Sequence, residues 1–126
     1  MKKTLKDKFK RFAAYWAPVY LFMALIFIIS SLSHPPEPKI ELEGIDKVYH
    51  IIEYGILGYL LFRAFRSSEN EKARSNAPAF AIIISAVFAL SDEIHQAFVP
   101  FREADIYDFL ADLAGAIIMN IRNLRK

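Results

Sequence analysis

Ser91-Asp92-Glu93-Ile94-His95-Gln96-Ala97-Phe98-Val99-Pro100-Phe101-Arg102-Glu103-Ala104-Asp105-Ile106-Tyr107-Asp108-Phe109-Leu110-Ala111-Asp112-Leu113-Ala114-Gly115 sets six strongly polar side chains, Asp92, Glu93, Gln96, Arg102, Asp108 and Asp112, among residues that otherwise read as membrane-buried helix. An ionisable side chain near the middle of a bilayer costs about 2.5–3.5 kcal/mol on insertion scales, so several within two short spans need partners or a purpose. The contradiction marks a site before any other feature of the chain is considered.

Outward from this stretch, apolar runs cover about residues 13–33, 48–65, 78–98 and 106–121. Each is near the roughly 17–25 residues that carry a helix across a bilayer. The 126 residues are 55% apolar, and the mean hydropathy of +0.24 conceals a segregation into apolar runs and short charged stretches. The expected fold is all-α: an integral membrane four-helix bundle. Its spanning domain is residues 15–121, between a basic N-terminal segment, 1–14, and a basic tail, 122–126. The N-terminal run is longer than the roughly 7–15 residues of a signal-peptide core and is read as a retained first span. No cysteine is present, which excludes disulfides and thiolate chemistry.

Charge sorting sets the expected orientation. Six lysines and arginines precede the first span, four (Arg63, Arg66, Lys72, Arg74) lie between the second and third, and three (Arg122, Arg125, Lys126) follow the fourth. Only Lys39, Lys47 and Arg102 fall in the alternate loops, so the positive-inside rule gives N-in/C-in. The acids sort the other way, for formal charges of −8 outside and +10 inside. The basic excess thus reports topology and attraction to anionic membrane lipids, and no nucleic-acid partner is expected.

Helical spacing collects the polar residues into stripes. Asp46, His50 and Glu53 lie on one face of the second span with Tyr54 beside them; Ser85, Asp92 and Gln96 align on the third, with Glu93 and His95 adjacent; Asp105, Asp108, Asp112 and Gly115 descend the fourth. All occupy the outer halves and are expected to converge on one site. The inner halves offer no polar stepping stones. Asp105 reads as an N-cap, Asp46 is placed to cap the second helix, and Lys47 is expected to reach up to water. Gly55, Gly58 and the small residues from Ala111 to Ala116 suit close helix packing.

Asp46-Lys47-Val48-Tyr49-His50, then Tyr54 and Leu57-Gly58, then Asp92-Glu93-Ile94-His95-Gln96-Ala97-Phe98-Val99-Pro100, Arg102, Asp108, Asp112 and Gly115 resemble the VanZ-like membrane protein family over about residues 15–120. Two departures stand out. The family usually has Gly where this chain has Phe101, which predicts a loop less free to take a positive φ. It usually has Asn where this chain has Asp112, which adds a possible charge. The family is named for a member implicated in low-level resistance to teicoplanin, a glycopeptide that acts on the outer cell-wall precursor. The resemblance implies a protein of the bacterial cytoplasmic membrane with an envelope role and no established reaction or cofactor.

Three functions compete. The first is an outward-facing site that binds or modifies an amphiphilic envelope substrate. Its contacts would be Asp46, Lys47, Glu53, Tyr54, Asp92, Gln96, Asp108 and Asp112; in a catalytic form Glu93 acts as general base, His50 shuttles protons and Arg102 stabilises negative charge. No serine sits in a recognisable nucleophile setting, since Ser85 and Ser91 have no evident His partner. A metal-binding variant rests on His50-x-x-Glu53 with Glu93, helped by Asp92 and His95. The second function is proton-coupled transport, and the third an acidic docking or scaffold surface. The chain leaves its oligomeric state open.

Overall fold

The computed structural model describes residues 2–35 and 42–125, so Lys39, the neighbouring acids Glu37 and Glu41, and Lys126 of the tail lie outside the described residues. The described residues are helical without strands: α1 (Leu5–Tyr15), α2 (Ala17–Ser30), α3 (Ile45–Arg66), α4 (Glu71–Ser75), α5 (Ala77–Gln96) and α6 (Ile106–Leu124). The four apolar runs correspond to α2, α3, α5 and α6, within a few residues at most ends.

The N-terminal segment, read from sequence as a basic flank, is itself a helix. Thr4 caps it reciprocally with Asp7: the Asp7 N–H donates to Thr4 Oγ1 at 3.2 Å and the Thr4 N–H to Asp7 Oδ2 at 3.1 Å. The Thr4 hydroxyl, which donates to Asp7 Oδ2 at 2.7 Å, and the Thr4 N–H hold the Asp7 carboxyl below its ordinary pKa. Leu5, Phe9 and Phe12 are exposed along this helix. On its inner side Arg11 donates to the Ser67 carbonyl and pairs with Glu69 at 2.9 Å.

α1 passes into α2 at Trp16, because Pro18 in the first turn of α2 has no N–H to give the Ala14 carbonyl. Arg63 of α3 supplies that oxygen with a donor at 3.4 Å and lies over the Tyr15 ring, 5.2 Å from its centroid. α3 starts from Gly44 at φ +80° and α5 carries Pro78 in its first turn, where its missing N–H costs no helical hydrogen bond. Asn70 caps the short α4 through the Ala73 N–H.

The tightest seam joins α3 to α6. A Cβ on Gly115 would run into the Ile51 carbonyl and lie 3.0 Å from the Gly55 nitrogen; one on Gly58 would lie 3.2 Å from Ala116 Cα. Only glycine lets the two backbones approach so closely. Below it, fully buried Asn120 donates to the carbonyls of Gly58 at 3.3 Å and Ala116 at 3.0 Å. Against the expectation of no polar stepping stones in the inner halves, Asn120 is a single buried polar side chain in the C-terminal half of α6. It is tied to backbone carbonyls of the seam.

Tyr54, Leu57 and Leu61 form the apolar centre with Val19, Ile26, Ala81 and Ala89. Outside it, Leu21, Leu25 and Ile28 of α2, Ile52 and Ile56 of α3, Ile83, Val87 and Leu90 of α5, and Leu110, Ile118 and Ile121 of α6 are all exposed. Apolar faces on every long helix exceed what a water-soluble monomer leaves bare. Leu5–Ser30, taken as one helix, and Ala77–Gln96 are long and apolar enough to cross a membrane.

Candidate functional site

The polar stripes meet where α3 begins, α5 ends and α6 begins. Asp105, predicted as a cap, is one: its Oδ1 accepts from the Tyr107 N–H at 2.8 Å. Glu93 fixes the same turn from α5 by accepting the Asp105 N–H at 3.0 Å. Asp46 does not cap α3; Gly44 holds that position and Asp46 lies in the first turn. Lys47, expected to reach up to water, keeps about a third of its side chain exposed and turns its ammonium across to α6. Its ammonium binds Asp46 at 2.9 Å, Asp105 at 3.0 Å and Asp108 of α6. One cation among three carboxylates clamps α3 to α6, and with the Tyr107 N–H it holds the Asp105 carboxyl below its ordinary pKa.

One turn deeper, His50 Nδ1 meets Asp112 Oδ1 at 2.7 Å, while Nε2 faces Asp108 at 3.7 Å. Asp112 is 1% exposed, and its second oxygen has no partner among the described residues. Where an Asn would make one hydrogen bond, Asp112 forms the carboxylate–imidazole contact. Asp92 Oδ1, Glu93 Oε1 and the Tyr54 hydroxyl are likewise buried without partners among the described residues.

Beside this network lies a cavity of about 580 Å³. Its polar end is formed by His50, Glu53, Asp92, Gln96, Arg102 and Ser30, with Asp46 at the rim. Its flank is apolar: Phe22, Ile26 and Ile29 of α2 face Tyr49, Ile52 and Ile56 of α3. Gln96 Nε2 donates to Ser30 Oγ at 3.1 Å, binding α5 to the end of α2. Of the sequence-derived residues, Asp46, His50, Glu53, Asp92, Gln96 and Arg102 border the cavity. Lys47, Glu93, Asp108 and Asp112 stand behind it in the connecting network, while Tyr54 is buried in the apolar centre.

This placement bears on chemistry. Glu93, the candidate base, faces the α6 cap. Among the described residues no three His, Cys, Asp or Glu side chains are grouped to hold a metal ion, so the His50, Glu53 and Glu93 trio is not assembled. A serine does find a histidine, which sequence reasoning missed: Ser31 Oγ lies 2.9 Å from His95 Nε2, with His95 stacked on Phe27. Ser31 also donates to the Phe27 carbonyl at 2.7 Å, so its one proton points away from His95. It is a tie between α2 and α5, not an activated nucleophile.

The loop between α5 and α6 overturns another expectation. Phe101 takes φ +63° despite its Cβ, in the position where glycine was noted as usual, and stacks on His34 at 5.2 Å. Left-handed backbone is strained for a bulky residue, and here it turns the chain so that the next residue, Arg102, borders the cavity.

An uncharacterised protein of Schizosaccharomyces pombe, C11E3.10, is 28% identical over 105 residues, 80% of this chain; the chain spans about 60% of that relative's length. No solved structure matches. The sequence model of the VanZ/LLP1 family matches residues 4–121, so the chain belongs to the VanZ/LLP1 family.

Proposed function

We propose that the protein is a four-span bundle of the bacterial cytoplasmic membrane, N-in/C-in, whose outward-facing cavity binds an amphiphilic cell-envelope molecule without breaking a bond in it. The carrying observation is the double character of one cavity: it is lined by the hydrogen-bonding and charged groups of Ser30, His50, Glu53, Asp92, Gln96 and Arg102, and flanked by the apolar side chains that α2 and α3 set facing each other. Such a lining matches a polar head joined to an apolar chain, and its volume falls in the roughly 300–1,000 Å³ range of small-molecule sites. Binding is favoured over catalysis because Glu93, the candidate base, is not among the residues lining the cavity and gives one carboxylate oxygen to the α6 cap. In this reading the envelope role includes protection against glycopeptides such as teicoplanin, through sequestration of the antibiotic or of a lipid-linked partner.

The test is glycopeptide susceptibility of a Gram-positive host expressing wild type, Asp92→Asn or Arg102→Ala at matched membrane levels. Wild type is expected to raise the teicoplanin concentration that inhibits growth several-fold, and both variants to return it to the empty-vector value. Protection that survives both substitutions would remove the cavity from the function.

A further inference from the structure

Resting on the reading of the cavity as an amphiphile site, we infer that its ligand carries a cationic amine head and a single apolar chain that enters sideways between α2 and α3. The charges at the polar end set the head. Asp46 is engaged by Lys47, and His50 by Asp112. That leaves Glu53 and Asp92 facing the cavity against Arg102. Glu53 makes no hydrogen bond or ion pair among the described residues. Asp92 is 6% exposed, and its Oδ1 is an acceptor with no donor. A buried carboxylate oxygen without a donor is costly, and an ammonium group supplies both charge and N–H. A phosphate head would instead set its charge against two carboxylates with one guanidinium to offset them.

The flank sets the chain. Ile52 and Ile56 border the cavity yet are 54% and 42% exposed, so the cleft between α2 and α3 is open along its side. From Ser30 down to Phe22 the α2 wall runs eight residues, about 12 Å at 1.5 Å per residue. An alkyl chain lying there covers aliphatic surface that α2 and α3 leave unpaired. The head meanwhile reaches Asp92 without crossing the Lys47 clamp.

The experiment titrates purified protein in neutral-lipid nanodiscs with hexadecylamine, hexadecyl phosphate and hexadecanol, which differ only in the head, and counts bound ligand by native mass spectrometry. Hexadecylamine is expected to saturate at one per chain and to bind at least tenfold more tightly than the other two. Asp92→Asn should lose at least tenfold in amine affinity, with Glu53→Gln as an independent variant should Asp92→Asn fail to fold. Ile56→Trp, at an exposed position, should fill the cleft and abolish saturable binding of all three. Phosphate binding tighter than amine, still sensitive to Ile56→Trp, overturns the amine head and leaves the amphiphile site standing. Equal, unsaturable uptake of all three, indifferent to every substitution, overturns the site itself.

Discussion

Gly115→Ala is expected to destabilise the bundle by about 3 kcal/mol or more, at or beyond the upper end of overpacking effects. The added methyl has nowhere to go: it would meet the Ile51 carbonyl oxygen, with the Ile51 carbonyl carbon at 2.9 Å. These are backbone atoms of a facing helix, which no rotamer change can move. α6 must shift away from α3, and the shift weakens the Lys47 and His50 contacts just above. Unfolding of the purified protein in mixed micelles, followed by circular dichroism, measures the loss. Gly55→Ala serves as the control, since its methyl would lie 3.6 Å from the Gly115 carbonyl in ordinary contact. Equal stability of the two variants would contradict the packing described for the seam.

His50→Leu is expected to be the second large effect. It leaves Asp112, 1% exposed, as a carboxylate with neither of its oxygens paired. Removing one partner of a buried ion pair costs about 3–5 kcal/mol, whereas replacing both by apolar residues is often close to neutral. The double variant His50→Leu with Asp112→Leu should therefore recover most of the stability lost by His50→Leu alone. Asp112→Asn should lie near wild type, because the amide keeps a hydrogen bond to the ring. A double-mutant cycle on the same unfolding assay isolates the pair. Independent, additive effects would mean that His50 and Asp112 do not act together.

Much of the fold was legible because apolar runs of spanning length and helical polar stripes are local patterns. α3, α5 and α6 end close to where hydropathy placed them, and Asp105 caps as its position before an apolar run suggested. α1 escaped because a basic, amphipathic stretch has low mean hydropathy, although Thr4-Leu5-Lys6-Asp7 carries a capping-box signal at the right spacing. The convergence of three stripes was also readable, since their depths agree. Which groups face the cavity and which brace it depends on helix rotation and on pairings across 58 to 62 residues, and no local pattern encodes these. Lys47 shows this best: beside its neighbour Asp46, two carboxylates brought from the start of α6, Asp105 and Asp108, draw its ammonium across the seam. Phe101 shows the limit of residue-type rules, since its loop takes the left-handed turn without the glycine that would make it easy.

The clamp between α3 and α6 has a consequence for how the chain is made. On the four-span reading, α3 leaves the ribosome carrying Lys47 and His50 before Asp108 and Asp112 have been synthesised. Until α6 follows, α3 holds charges that a lipid environment opposes, so it is at best a provisional occupant of the bilayer. α5 meets the hydropathy requirement on its own, and α2 does so together with α1, so both can be released from the translocon early. On that reading α6 completes the insertion of α3 through pairings across 58 to 62 residues, so the earlier helix waits on the later one.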